Sequence, residues 1–246
     1  MIMNMEYLPS WVTVSRFGSA SRSTVDNGLV GWQRVYRRTA VVPWGMSDLS
    51  WVPTYYDDVA GEYDESRGGV QRARAVVRAI GFLAQPPGRC LDVAGGTGIV
   101  SAELAAVGWS VSVLDRSAGM LAEAGDRLPG RVLRADADRL PVRDGSVDLV
   151  TIIWMLNLLS VPAADTVLGE VSRVLRPGGR LVVTVDKELS HASSTAVRSD
   201  DDVRLGAVLH DLGLTRAGAQ TFSAPSPWGS ARPGDPLFRL SAFRRF

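Results

Sequence analysis

The chain has 246 residues, 46% of them hydrophobic, and a formal net charge of +1. This is the size of one globular domain with a short appendage, and so even a balance leaves no electrostatic footprint for nucleic acid. Cys90 is the only cysteine, which excludes an internal disulfide and a cysteine metal cluster; in a predicted buried strand it reads as a packed thiol.

Residues 1–45 carry no lasting period of 3.6 or 2. They read as a lid or partner-binding arm, or as upstream sequence placed before a natural start at Met46. The second reading is preferred, because "MSDLSWVPTYYDDVAGEYD" looks like a proper beginning. From about residue 70 the pattern is regular. "VQRARAVVRAIGFLA" puts Val70, Ala73, Val77, Ile80 and Leu83 near one helical face, and "QPPG" ends it. "RCLDV" (89–93) is a short buried strand. "GIVSAELAAV" (98–107) is a helix that stops at Gly108. Strands follow at 110–114, 131–135, 146–156 and 180–185. Helices lie between them at 117–128, which Ser117 can cap, and at 163–175, ended by "RPGG". A late helix at 201–214 precedes two candidate strands, "TRAGAQTFS" and "LFRLSAFRR", with a Pro/Gly-rich surface loop between them. Strands alternating with helices at this spacing give a parallel sheet covered on both faces.

"LDVAGGTGIV" (91–100) is where chemistry is expected. Ala94, Gly95, Gly96 and Gly98 follow a strand and open a helix, so ligand can approach bare backbone at the carboxyl edge of the sheet. Asp115 ends the second strand, where a carboxylate can accept both hydroxyls of a ribose. Asp136 ends the third, within reach of an adenine amino group. The dinucleotide pattern G-x-G-x-x-G is not met, and no phosphate loop of the G-x-x-x-x-G-K-S/T type exists.

With these residues in place, the chain resembles the class I S-adenosylmethionine-dependent methyltransferases, of the methyltransferase-domain and ubiquinone/menaquinone-biosynthesis-like type. "LDVAGGTG", "LDRSAGML", "ADADRLPVRDGSVDLV", "EVSRVLRPGGRLVVT" and the leader "YYDDVAGEYDESRG" carry the resemblance, from Tyr55 to Val185. It implies an α/β fold: a doubly wound, Rossmann-like, mostly parallel seven-stranded sheet with helices on both faces, spanning 46–246. It implies S-adenosyl-L-methionine as cofactor. Ala94, Gly95 and Gly96 would lie against its methionine part, with Gly98 tightening the turn and Asp92 orienting the loop. Asp115 would take the ribose. Arg116 and Met120 would flank the adenine, Asp136 would take its amino group and Ala137 would pack on the ring. Ile153 would face the methionine part and Tyr63 would cover the cofactor.

The implied reaction is in-line attack on a sulfonium methyl, in which alignment matters most. Many relatives carry histidines after strand four. This chain reads "WMLNLL", with Asn157 in the place of the first. Asn157 can orient a substrate but cannot act as a base. His191 and Asp186, just past strand five, are the candidate bases; His210, on the late helix, reads as structural. Trp154 and Met155 line an apolar substrate pocket or pack as core. No metal is expected. The resulting expectation is methylation of a small apolar or aromatic metabolite, oxygen before nitrogen or carbon, by a monomer or homodimer. The alternative is a non-catalytic cofactor-binding subunit. No stretch approaches eighteen apolar residues, and the first residues lack the order of a secretory signal, so a soluble cytoplasmic protein without a membrane partner is expected.

Overall fold

The computed structural model describes residues 52–187, 198–224 and 237–246. The N-terminal extension, His191 and most of the Pro/Gly-rich loop lie outside them. In chain order the elements are α1 (Val52–Ser66), α2 (Gly69–Gly81), β1 (Gly88–Val93), α3 (Ile99–Ala106), β2 (Trp109–Asp115), α4 (Ala118–Arg127), β3 (Val132–Arg134), β4 (Val147–Ile152), α5 (Val161–Val174), β5 (Leu175–Val185), α6 (Asp202–Asp211), β6 (Leu214–Ser223) and β7 (Leu237–Arg245). They form one seven-stranded sheet in the order β3-β2-β1-β4-β5-β7-β6. Only β7 runs antiparallel to its neighbours.

Successive side chains in a strand point to opposite faces, and the core divides accordingly. Leu91, Val93, Val150, Ile152, Leu181 and Val183 pack with Val167, Leu168 and Val171 of α5 and Leu205 and Leu209 of α6. Cys90, Val111, Leu149 and Val182 face the other way, against Val76 and Ile80 of α2 and Leu104 of α3. Val113 packs with Leu121 and Ala124 of α4. The continuous apolar runs are therefore strands buried on both sides. The strand order reverses between β1 and β4, and it is at such a switch point that open sheets bind ligands.

Two boundaries differ from the sequence reading. The fourth strand ends at Ile152, because Trp154 takes a positive φ of 58° and a 3-10 turn follows at Leu156–Leu158. α5 ends at Val174, just before "RPGG" as read, but β5 begins there rather than at residue 180: it pairs Leu175 with Val147 and resumes after a bulge at Arg180 with Leu149. The leader "YYDDVAGEYDESRG" lies within α1 and the turn behind it. Elsewhere the caps form as read: the Ser117 hydroxyl oxygen accepts the Met120 N–H.

The helix α1 is clamped at two points. The Asp57 carboxylate accepts the Ser117 hydroxyl at 2.5 Å and the Gly119 N–H at 2.8 Å, which hold it below the usual carboxylate range. An anion there also suits the amino end of α4. One helix turn from the end of α1, Asp64 accepts the Thr97 hydroxyl and the Arg127 guanidinium at 2.6 and 2.7 Å. Contact with α4 is tight enough that a Cβ on Gly119 would sit 2.7 Å from both Cα and O of Asp57. Backbone cannot yield as a side chain can. Gly119→Ala should therefore lift α1, raising amide exchange across residues 52–66 about tenfold or more while the strands stay protected. Gly125→Ala on the same helix, where a Cβ meets nothing within 4 Å, should be neutral or stabilising by about 0.5–1 kcal/mol. Unchanged exchange in α1 of Gly119→Ala would refute the clamp.

Candidate active site

The backbone is strained at three adjacent strand ends. Ala94 after β1, Trp154 after β4 and Asp186 after β5 have φ of 55°, 58° and 50°. For residues with a Cβ this region costs about 1–2 kcal/mol each. Such strain clusters where function requires a particular backbone shape. The glycine loop lies in the same row. Gly98 (φ 72°) turns its N–H back to the Gly95 carbonyl at 3.0 Å, and a Cβ there would meet Ala124 at 3.0 Å. Gly95 sits so close to Val113 and Asp92 that it has no room for a side chain. Gly96 differs: a Cβ would meet only Met120 Sδ, at 3.8 Å, so its outer side is open.

Asp115 closes the loop. Its Oδ2 accepts the Gly96 N–H and its Oδ1 the Ser117 N–H, both at 2.9 Å. Burial pushes its pKa up and the backbone donors pull against that. Each oxygen keeps a free lone pair, so the carboxylate can accept two vicinal hydroxyls. Its 9% exposure makes those acceptors strong. The residues present thus fit a ribose beside an open glycine backbone.

Asp92 is buried below the loop. Thr151 and Ser101 donate hydroxyls to its two oxygens at 2.7 and 2.5 Å. Burial raises its pKa to about 6, against those two donors. Arg116 and Asp136 meet each other at 3.5 Å; Asp136 is 63% exposed. Ala137 packs on the core edge and Ile153 on the α2–α3 side. Met120 is buried, with its sulfur 3.8 Å from where a Gly96 Cβ would stand, so it borders the open side of the loop.

Over this edge lie Tyr56 and Tyr63 of α1, their rings edge-on at 5.9 Å. Burial raises the pKa of both, and Asp115 is close enough to push the same way. Beside them, the Arg72 guanidinium stacks 3.7 Å from the Trp154 ring centroid. Burial lowers the Arg72 pKa to about 10, which leaves it charged at neutral pH. Arg72 Nε and Trp154 Nε1 are buried donors without a partner. Each such group costs about 1–3 kcal/mol. The sequence reading missed Arg72, because it stands in an ordinary amphipathic helix pattern.

The candidate bases separate. Asp186 accepts the Asp202 N–H at 3.2 Å and lies 3.8 Å from Arg239, with its pKa raised by burial and the nearby carboxylates. Asn157 is half-buried in the 3-10 turn. Met155 belongs to the main core, whereas Trp154 joins Phe222 and Phe238. His210 is exposed on α6. Among the described residues no cluster of His, Cys, Asp and Glu is arranged to hold a metal, and no helix is long and apolar enough to cross a membrane. A hollow of about 410 Å³, lined by Trp109, Asp148 and Arg180 among others, lies at the opposite, amino-terminal edge of the strands. It is far from the strained loop and at the edge where open sheets do not bind ligands.

Residues 91–183 match the methyltransferase-domain family model. The ubiquinone/menaquinone biosynthesis C-methyltransferase UbiE of Methylobacterium nodulans is 35% identical, over 66% of this chain and 69% of that one. The chain belongs to the class I S-adenosylmethionine-dependent methyltransferase family. A demethylmenaquinone methyltransferase of Beutenbergia cavernae is 47% identical over 52% of this chain and 55% of its own length. The chain spans 55% and 59% of the first two curated relatives it matches. Solved structures share the fold. The 1,6-didemethyltoxoflavin-N1-methyltransferase of Burkholderia thailandensis superposes with a TM-score of 0.57 at 20% identity, covering 79% of this methyltransferase-family chain and 85% of its own. The cyclase SpnF gives 0.60 at 21%, covering 79% and 94%. Those two names differ in chemistry, so the shared fold does not select a reaction.

The buried Asp92 yields a test. Its pKa is raised from 3.8 to about 6 in the folded chain. Protonation is thus easier in the folded state than in the unfolded one. Its stability contribution is complete below pH 3.8 and lost as pH rises through about 6. At about 1.36 kcal/mol per unit, the loss is up to ~3 kcal/mol. Asp92→Asn cannot titrate. Its unfolding free energy relative to wild type should improve by up to ~3 kcal/mol between pH 4 and pH 7 in paired urea titrations. A pH-independent difference would remove Asp92 as the buried titrating group.

Proposed function

We propose that the protein binds S-adenosylmethionine at the β1–β2 edge and transfers its methyl to a ring carbon of a small quinol-type acceptor. The observation that carries the cofactor half is Asp115, a buried carboxylate with two free acceptor positions beside an open glycine backbone. The acceptor half is supported by the relatives, whose names specify demethylmenaquinone or a C-methyltransferase. The expectation of O-methylation has no such support.

In this reading Ala94, Gly95 and Gly96 offer backbone to the methionine part, with Ile153 facing it. Asp115 takes the ribose hydroxyls. Asp136, with Arg116 and Ala137, borders the adenine at the exposed rim, and Tyr63 closes over the top. Asp92 acts through Thr151 and Ser101 to fix the loop from below. The cofactor, when bound, supplies an electrophilic methyl and takes back the electron pair of the broken carbon–sulfur bond. The chain's main task is to hold the ring carbon in line with it. A ring carbon is nucleophilic when a neighbouring ring oxygen is ionised, and it loses its own proton after the carbon–carbon bond forms. Asp186, just past β5 and with its pKa raised, is the proposed acceptor of that proton. Asn157 holds a second substrate oxygen through its amide.

Calorimetric titration with S-adenosylmethionine and S-adenosylhomocysteine, with NAD as control, tests the cofactor half. Micromolar binding of the sulfur ligands alone is expected. Asp115→Ala should weaken it about a hundredfold, because two hydroxyls lose a charged, buried acceptor. Incubation with a demethylnaphthoquinol should give a product methylated on carbon, identified by mass and NMR. Cofactor binding without transfer would instead favour a binding subunit.

A further inference from the structure

We propose that Arg72 and Trp154 form the binding site for an ionised ring oxygen of the methyl acceptor, so that the acceptor is a hydroxy-aromatic anion. The proposal rests on the methyltransferase reading and narrows its substrate. Four observations meet at this point. The Arg72 side chain is half-buried, with its Nε closed to solvent. Its bonds are one N–H to the Arg67 carbonyl, at 2.9 Å, and stacking on Trp154 and Phe238, at 3.7 and 5.1 Å. Among the described residues no carboxylate pairs with it, whereas Arg173 and Arg204 each have one. The Nε–H of Arg72 and the Nε1–H of Trp154 are both unpartnered in the same cluster. The walls are flat and apolar: Phe222, Phe238, Ala75 and Ala224.

A stacked cation needs no unpartnered donors to be stable, so packing alone does not explain the pair. Phosphate is a poor fit, because a doubly charged, heavily hydrated group gains little from aromatic walls and two donors. A planar ring bearing one ionised oxygen fits both features. Its oxygen would satisfy the two donors, which are closed to solvent in the free chain, once the ring enters between Arg72 and the aromatic walls.

The location is also right. On β1 and β4, Asp92 pairs with Thr151, so Ala94 and Ile153 come level two residues on, and Trp154 is the next residue. Its N–H donates to Thr184 Oγ1 on β5 at 2.7 Å, which holds the strained turn. Tyr63 is close enough to feel the charges of both Arg72 and Asp115, so the cluster and the ribose carboxylate share this neighbour on α1. An anion at Arg72 is therefore beside the proposed cofactor site rather than remote from it. Charge on that oxygen is also what makes the adjacent ring carbon nucleophilic.

The test uses the full chain and a hydroxynaphthoquinone that is an anion at neutral pH, with its methyl ether as the uncharged control. Both are titrated calorimetrically, with and without S-adenosylhomocysteine. Wild type should bind the anion about tenfold or more tighter than the ether. Arg72→Met, which keeps length and apolar contact, should abolish that preference and leave S-adenosylhomocysteine affinity unchanged. Trp154→Phe keeps a ring but removes the donor, and should weaken anion binding by about three- to tenfold. Arg72→Lys keeps the charge and should retain part of the preference, because the compact ammonium lacks the stacked fork. Equal affinity of wild type for anion and ether, or a preference that survives in Arg72→Met, would overturn the proposal. If wild type binds the anion preferentially but no S-adenosylhomocysteine, the oxyanion site stands and the methyltransferase reading falls.

Discussion

The Asp115 carboxylate is the point on which the arrangement turns. It accepts one N–H from the glycine loop and one from the start of α4. Two segments nineteen and two residues away in sequence are thereby held against the end of β2. Burial alone would make this carboxylate unfavourable, and its pKa moves up accordingly. Two backbone donors offset part of that cost. They leave the remaining lone pairs aimed at the edge where strand order reverses. A neutral side chain of the same size would close the loop less firmly and would offer a weaker acceptor.

The second constraint is the leader helix, which covers this edge only because it is fastened at two separate places. Asp57 binds the start of α4, and Asp64 binds the glycine loop through Thr97. Arg127 completes the second clamp, donating to both Asp64 and the Thr97 carbonyl. Tyr56 and Tyr63, each next to a clamp residue, are consequently held near Asp115. A lid fixed this way moves as a unit, since freeing one end leaves the other tied. It also explains why small residues at 117–119 matter outside the loop itself.

Much of this was legible in the sequence for a physical reason. Strands buried on both faces read as unbroken apolar runs, and caps such as Ser117 have a local signature. The glycine loop, Asp115 and Asp136 stand at the ends of successive strands, so their order alone placed them along one edge. Other features depend on contacts far apart in the chain. "LPVRDGS" and "EVSRVL" resemble binding motifs, yet much of their role is fastening: Arg173 reaches Glu170, Asp144 and the carbonyls of Leu140 and Val142, while Glu170 accepts the Leu140 N–H. Arg72 carried no signal, because a helix pattern counts it as a polar position and only the fold stacks it on Trp154.

Strain at Ala94, Trp154 and Asp186 gives these observations a common cause. The three residues end β1, β4 and β5, which are neighbours in the sheet. A chain optimised for stability alone would place glycine or a shorter turn at such points. Two of the strained residues carry side chains with something to do: Trp154 forms the aromatic wall and Asp186 presents a carboxylate. The left-handed turn redirects each side chain away from the strand's alternation. Destabilisation of a few kcal/mol at three adjacent positions, held by bonds such as Thr184 to Trp154 and Asp200 to Asp186, is the form expected when an edge is shaped for a ligand rather than for packing.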